Sequence, residues 1–175
     1  MRGSACASDA NVLNALSIEA RRDGGSGLVK THFPDRDYGD GYQARIDLVI
    51  EVPLGQDANI ADGSGSAEVS GLGSVRITDG SGDLTISDIF GSLQVSDGSG
   101  GITIARVGGS VTISDGSGEI EVEDVEGSVT VADGSGSVDV RNVRGDFVVE
   151  NDGSGSIHFA DVRGRIDVPQ RGRRR

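Results

Sequence analysis

Aromatic and basic residues are scarce in this chain of 175 residues. It has no tryptophan, two tyrosines and four phenylalanines, so a sugar-cleaving cleft lined with aromatic side chains is disfavoured. Lys and Arg number 16 against 28 Asp and Glu, which gives a net charge of −12. Because phosphate backbones are bound by clustered cations, nucleic acid is not expected as a partner. The basic run in residues 170–175 is interpreted as a solvated tail.

Cysteine and long apolar runs are also rare. No stretch approaches the roughly 18 apolar residues of a membrane span, so none is expected. The first ten residues, MRGSACASDA, lack an apolar segment, so the chain is expected to carry no signal peptide. Cys6 is the only cysteine and cannot form an internal disulfide. Three interpretations of Cys6 stay open: a small buried residue, a loose thiol, or a residue whose disulfide partner lies in an upstream segment.

Glycine and β-branched residues are abundant instead. The chain has 29 glycines, and its 33 Val and Ile outnumber its eight Leu. Because β-branched side chains favour strands, the composition predicts an all-β fold. Glycine placed at random would weaken those strands, so the positions of the glycines need an explanation.

A tetrapeptide, Asp-Gly-Ser-Gly, recurs along the chain at intervals of 17 to 19 residues. Its copies begin at Asp62, Asp79, Asp97, Asp115, Asp133 and Asp152. Each interval divides into two halves of about nine residues, with Gly at the fourth place and aliphatic residues at the sixth and eighth. Alternation of this kind is the signal of a strand with one buried face. A fixed repeat of this length is typical of a solenoid.

Two strands per repeat, each stacked on its copies, predict a parallel β-solenoid of about six 18-residue coils. Each coil should rise about 4.8 Å, the usual spacing of paired strands. Right-handed winding is expected by analogy with the general crossover rule. The predicted solenoid covers residues 62–169, between a β-rich N-terminal cap at 1–61 and the tail at 170–175. Within the cap we expect a helical turn at 11–16 and strands at 16–21, 28–33 and 44–52.

The glycines at the fourth place of each DGSG half are predicted to form the tight corners of the coils. They are Gly82, Gly100, Gly118, Gly136 and Gly155. The Asp that opens each corner is expected to accept hydrogen bonds from its own turn. Calcium binding by Asp79, Asp97, Asp115 and Asp133 is the less favoured interpretation, because calcium-binding β-roll nonapeptides carry Asp at the sixth place and this chain has apolar residues there. No metal or cofactor is therefore expected.

Three further groups of residues are candidate sites. The loop at 33–42 contains Asp37, Tyr38 and Tyr42, and is interpreted either as a turn between strands or as a loop that contacts a ligand. Glu121 and Asp139 should lie one coil apart in an outward column, at a spacing near that of a retaining glycosidase pair. An exposed acidic column is usually only a solvated face, so the chain is not expected to be an enzyme. The histidines, His32 and His158, are expected at the surface rather than at a metal site.

The run at residues 46–89, IDLVIEVPLGQDANIADGSGSAEVSGLGSVRITDGSGDLTISDI, resembles a bacterial family of adhesin-like β-solenoid proteins with GSGD-type turns. The likeness covers about residues 44–168. This chain favours DGSG, and an acidic residue follows GSG only at Asp83 and Glu119. The resemblance implies an exported bacterial protein, periplasmic or at the cell surface, and offers no catalytic residues.

Together these features predict a non-enzymatic, exported solenoid that binds a surface, carbohydrate or protein ligand through its flat faces. The alternative is a structural scaffold whose coils stack end to end into filaments. The cap and the arginine tail disfavour open polymerisation, so a monomer or a weakly associating oligomer is expected.

Overall fold

A computed structural model describes residues 1–33 and 43–169 of the chain, which divides into two compact units, Met1–Val52 and Pro53–Arg175. The elements of the first unit are β1 (Arg2–Ala7), α1 (Ala10–Ala15), β2 (Ser17–Asp23), β3 (Ser26–His32) and β4 (Ala44–Val49). β1 pairs with β4 and β2 pairs with β3, both antiparallel. The helical turn and three of the strands correspond to those predicted. β1 was missed, because its sequence RGSACA has no apolar alternation.

Helix α1 begins where a short polar side chain supplies its N-cap. The Asp9 carboxylate accepts a hydrogen bond from the backbone N–H of Asn11 at 2.7 Å, which satisfies one of the free donors at the start of the helix. The helix ends at Ala15 after six residues, and Val12 is its buried residue. In the described part of the chain, no helix is long and apolar enough to cross a membrane.

The second unit consists of strands stacked in two parallel sheets. The strands are β5 (Ala58–Ala61), β6 (Ala67–Ser70), β7 (Val75–Thr78), β8 (Leu84–Ile89), β9 (Leu93–Asp97), β10 (Ile102–Val107), β11 (Val111–Asp115), β12 (Gly118–Val125), β13 (Val129–Asp133), β14 (Gly136–Val143), β15 (Phe147–Asp152), β16 (Gly155–Val162) and β17 (Ile166–Asp167). The even-numbered strands β6 to β16 form a six-stranded sheet, and the odd-numbered strands β5 to β17 form a seven-stranded sheet. The predicted β-solenoid of about six turns is therefore confirmed. Its right-handed winding stays a prediction.

The register places equivalent residues of successive coils side by side. Ile102 in β10 lies opposite Leu84 in β8 and Ile120 in β12. The repeat between Asp133 and Asp152 is longer, and the register shifts there by one residue. Val131 pairs with Val149, but the next residue, Ala132, pairs with Asn151. One extra residue thus forms a bulge without moving the apolar column off the core.

The core lies between the two sheets and contains the apolar residues at the sixth and eighth places of the half-repeats. The core also contains the apolar residues at the second place of each second half-repeat, namely Ile89, Val107, Val125 and Val143. Phe147 is fully buried, as expected for a core residue. Phe90 is 61% exposed and lies outside the core, whereas Phe159, on the last strand of the six-stranded sheet, is 45% exposed and packs against Phe147. Phe90 lies just past the inward position of Ile89, at the corner of its coil.

Stacking begins before the first DGSG tetrapeptide. β5 pairs in parallel with β7, so Ile60 lies opposite Ile77. The compact unit that contains the solenoid begins at Pro53, nine residues before the boundary placed between residues 61 and 62 from the repeat. The repeat alone could not locate this strand, because β5 precedes the tetrapeptides that mark the coils.

The two kinds of corner differ in backbone chemistry. At the DGSG corner the predicted turn glycines all have positive φ, from 129° at Gly82 to 152° at Gly118. At the other corner one residue per coil is left-handed without being glycine. These residues are Asp88, Arg106, Asp124, Asn142 and Asp161. Asp and Asn tolerate this conformation better than most residues, and an ion pair of Arg106 with Asp88 at 2.7 Å stabilises the one arginine in the column.

Candidate functional site

The seven-stranded sheet presents an outward face of small polar side chains. One outward column includes Arg76, Gln94, Thr112 and Thr130, and a second includes Thr78, Ser96 and Ser114. In these central coils Arg76 is the one charged side chain of the two columns. For a chain of net charge −12, this is a charge-poor surface rich in hydroxyl and amide groups.

A shallow groove runs across several coils at the edge of this face. Its volume is about 410 Å³, and its polar lining includes the column Arg76, Gln94 and Thr112. The lining also includes a column of serines at the turns before the strands, namely Ser74, Ser92 and Ser110. The groove therefore offers an extended row of hydrogen-bonding groups with a cation at one end.

The six-stranded sheet has a different outward surface. Glu121 and Asp139 are in-register partners on adjacent strands, as the sequence predicted for their column. Asp139 accepts a hydrogen bond from Arg141 at 2.8 Å. The depression beside them has a volume of only about 60 Å³. It has room for about two water molecules and does not enclose a sugar ring.

The DGSG aspartates lie inside the corner of the coils. Asp79, Asp97, Asp115 and Asp133, which we call the aspartate column, are buried and are 2–7% exposed. Asp97, Asp115 and Asp133 are in-register partners in successive coils. One carboxylate oxygen of each residue caps its own turn, as in the hydrogen bond from the Ser117 N–H to Asp115 Oδ1 at 3.3 Å. The turn-capping role predicted from the sequence is therefore present in the structure.

The second oxygen of these carboxylates has a different environment. Oδ2 of Asp79, Asp97 and Asp115 is out of contact with solvent and has no hydrogen-bond partner among the described residues. Burial raises the pKa of Asp115 to about 6, and the like charges of Asp97 and Asp133 act in the same direction. Burial also raises the pKa of Asp79, with Asp97 and Asp62 adding to the effect. Both shifts favour the neutral acid over the carboxylate.

The aspartate column does not fit the needs of calcium, which takes six to eight oxygen ligands at about 2.3–2.6 Å. Within residues 1–33 and 43–169, no three His, Cys, Asp or Glu side chains converge as a metal would require. The Oδ2 atoms of Asp79, Asp97 and Asp115 are also closed to water, so a hydrated ion could not reach them without movement of the coils.

The remaining predicted site residues are not brought together. Asp37, Tyr38 and Tyr42 lie outside the described residues, so the ligand-loop hypothesis is untested. Cys6 is exposed on β1 and has a free thiol. His32 is exposed and lies 3.4 Å from the Glu19 carboxylate, whereas His158 is exposed on β16 in the other compact unit.

Apolar side chains are exposed to solvent at the last described coil. β16 pairs with β14 on one side and has no strand on its other side within the described chain. Phe159 and Ile166 are 45% and 42% exposed at this end, and Phe159 packs against Phe147 with ring centroids 5.8 Å apart. Arg163 and Arg165 lie in the turn that joins β16 to β17 and are exposed.

Comparison of the chain with protein-family models, with curated proteins and with solved structures gave no match. The resemblance to adhesin-like solenoid proteins therefore stays a prediction, and the site has to be interpreted from its own chemistry. Sequence reasoning missed the groove because it examined the outward strand columns singly. The signal was present, since a Gly-Ser pair precedes β7, β9, β11 and β13 at the same place of each second half.

Proposed function

We propose that this chain is a non-enzymatic, exported binding module that holds a surface carbohydrate chain along the groove of the seven-stranded face. The observation that carries the proposal is the charge-poor strip of hydroxyl and amide groups beside a groove of about 410 Å³. Its groups recur with every coil, about 4.8 Å apart, so they suit a ligand whose own hydroxyl groups also recur along its length. Export is supported by the resemblance to adhesin-like solenoid proteins.

A binding role is favoured over catalysis by the placement of the acidic groups. Glu121 and Asp139 stand on an open sheet face, and Asp139 is already engaged by Arg141. A glycosidase pair works in a cleft, where one carboxyl group is kept protonated and substrate is held between the two. The groove with sufficient volume is on the other sheet and contains no carboxylate in its lining.

Threonine substitutions on the two faces test the location of the site. Thr112→Glu places a negative charge in the groove, and Thr103→Glu places the same charge on the six-stranded face. In co-sedimentation with peptidoglycan sacculi and with chitin, we expect the wild-type chain to bind at least one polymer. Thr112→Glu should weaken that binding by about tenfold or more, since it removes a polar contact and adds an unpaired charge.

The matched variant, Thr103→Glu, should bind like the wild type. Failure of the wild type to sediment with either polymer, or equal loss of binding in both variants, would contradict the proposal. A native gene product confined to the cytoplasm would contradict its export.

End-to-end association is a second candidate function, favoured by the open last coil. Phe159 and Ile166 expose apolar surface beside β16, whose outer edge is unpaired among the described residues, and an unpaired edge invites pairing with another chain. If coils of a second copy stack there, light scattering over a concentration series should show a mass that rises with concentration. Phe159→Glu should then return the chain to a monomer. A strict monomer at all concentrations would exclude this function.

A further inference from the structure

The aspartate column holds carboxyl groups where an ionised carboxylate is unfavourable. Asp79, Asp97 and Asp115 are each more than nine-tenths buried, and the Oδ2 atom of each has no hydrogen-bond partner within residues 1–33 and 43–169. Buried polar groups are nearly always hydrogen-bonded, and a buried charge without a counter-charge usually becomes neutral. The turn explains only the Oδ1 atoms, which accept hydrogen bonds from backbone N–H groups. The Oδ2 atoms need a separate explanation.

The charges that surround the column make its ionisation still less favourable. Asp115 faces Asp97 and Asp133 in the neighbouring coils, and Asp79 faces Asp62 and Asp97. Toward the interior the corner borders on the apolar core, and no ion pair of the described residues involves Asp79, Asp97 or Asp115. Neighbouring carboxylates at about the strand spacing of 4.8 Å repel strongly when water is excluded. Asp79, Asp97 and Asp115 therefore hold excess negative charge that no cationic side chain of the described residues balances.

A proton is the cation that fits this place. It needs no ligand shell and no cavity, whereas the Oδ2 atoms are closed even to water. We propose that the aspartate column is a proton-binding site, in which protons held on Oδ2 neutralise buried carboxyl groups and so relieve the repulsion between successive coils. A proton on Asp115 removes its repulsion with the in-register carboxylates of Asp97 and Asp133 in the adjacent coils.

If the column binds protons, acid stabilises the folded state of the solenoid relative to the unfolded chain. An aspartate in an unfolded chain has a pKa near 3.9. In the folded chain the pKa of Asp115 is raised to about 6, so the folded state binds more protons between these two values. The stabilising contribution is fully present below about pH 4 and is lost as the pH rises through about 6. Because the carboxyl groups interact, the measured midpoints belong to the column as a whole.

Asparagine substitution distinguishes the effect of the aspartate column on stability from the effect of the chain's net negative charge. Asp115→Asn replaces the carboxyl group by a neutral amide of the same shape, and Glu121→Gln removes the same unit of charge from the exposed six-stranded face. We expect the melting temperature of the wild type to fall by about 5–10 °C between pH 5 and pH 8. Asp115→Asn should melt a few degrees higher than the wild type at pH 8 and show a smaller pH dependence. Glu121→Gln should keep the pH dependence of the wild type.

The proposal is overturned if Asp115→Asn melts lower than the wild type at pH 8, or if Glu121→Gln stabilises the chain equally. It is also overturned if calcium chloride raises the melting temperature at pH 8 and Asp115→Asn abolishes that rise, because the column would then bind a metal ion. Should the variant fail to fold, carbon NMR of the side-chain carboxyl groups in the wild type gives an independent answer. An Asp115 carboxyl group that titrates near pH 6 supports the proposal, and titration of Asp115 near pH 4 refutes it.

Discussion

Replacing Gly100 by alanine is expected to destabilise the solenoid by at least about 4 kcal/mol. Gly100 has φ of 138°, a conformation that costs other residues about 1–3 kcal/mol. A Cβ atom at Gly100 would also collide with the carbonyl oxygen of Gly82, which belongs to the backbone of the preceding coil. That oxygen cannot move aside without opening the stack, so the two costs add.

Gly65 provides the matched control for this prediction. It occupies the same place of the first DGSG turn and also has positive φ, but a Cβ atom there would meet nothing within 4 Å. Gly65→Ala should therefore show only the backbone cost of about 1–3 kcal/mol. Denaturant unfolding followed by circular dichroism measures both variants, with the exposed Thr103→Val as a reference expected within about 0.5 kcal/mol of wild type. Equal losses at Gly100 and Gly65 would show that stacking is not what requires glycine.

Replacing Phe147 by alanine is expected to cost about 3–5 kcal/mol. Phe147 is fully buried in a column in which the preceding coils carry Val129, Val111 and Leu93. Its ring packs against Phe159 at a centroid distance of 5.8 Å in a tilted arrangement. Alanine removes this contact and leaves a cavity that the stacked backbones cannot close, since their spacing is fixed by the sheet hydrogen bonds.

The comparison with Phe90 tests whether burial explains the effect. Phe90 is 61% exposed, so Phe90→Ala should change the unfolding free energy by less than about 1 kcal/mol. Thermal unfolding of Phe90→Ala and Phe147→Ala under identical conditions compares the stability that each variant loses. Comparable losses for Phe90 and Phe147 would mean that Phe90 contributes to a buried contact and that the assignment of the core is wrong at that corner.

The fold could be predicted because its determinants recur in the sequence. Alternation such as Ile102-Thr103-Ile104 specifies which face of a strand is buried, and the DGSG spacing specifies how strands stack. Phe90 shows the limit of the pattern: it is apolar, but it falls at a corner where the chain turns and its side chain has no inward direction. β1 was not predicted because RGSACA has no apolar alternation, and β5 was not predicted because it precedes the tetrapeptides that mark the coils.

The candidate sites were less predictable, because they depend on relations between coils. The sequence placed the DGSG aspartates in turns, which explains Oδ1, but only the stacked structure shows that Oδ2 of Asp115 is buried between Asp97 and Asp133. The groove is lined by two columns, one of strand residues such as Gln94 and one of turn serines such as Ser92, and either column alone does not indicate a groove.

The sequence by itself determined the all-β class, the period of the coils and the inward residues of each strand, because a local repeat imposes the same backbone conformation on every copy. The tertiary structure decided which polar groups lose contact with water and which surfaces stay open. Burial depends on what the neighbouring coil places above and below a residue, and one repeat unit does not contain that information. The proton-binding column and the polar groove are therefore properties of the stack rather than of its repeat.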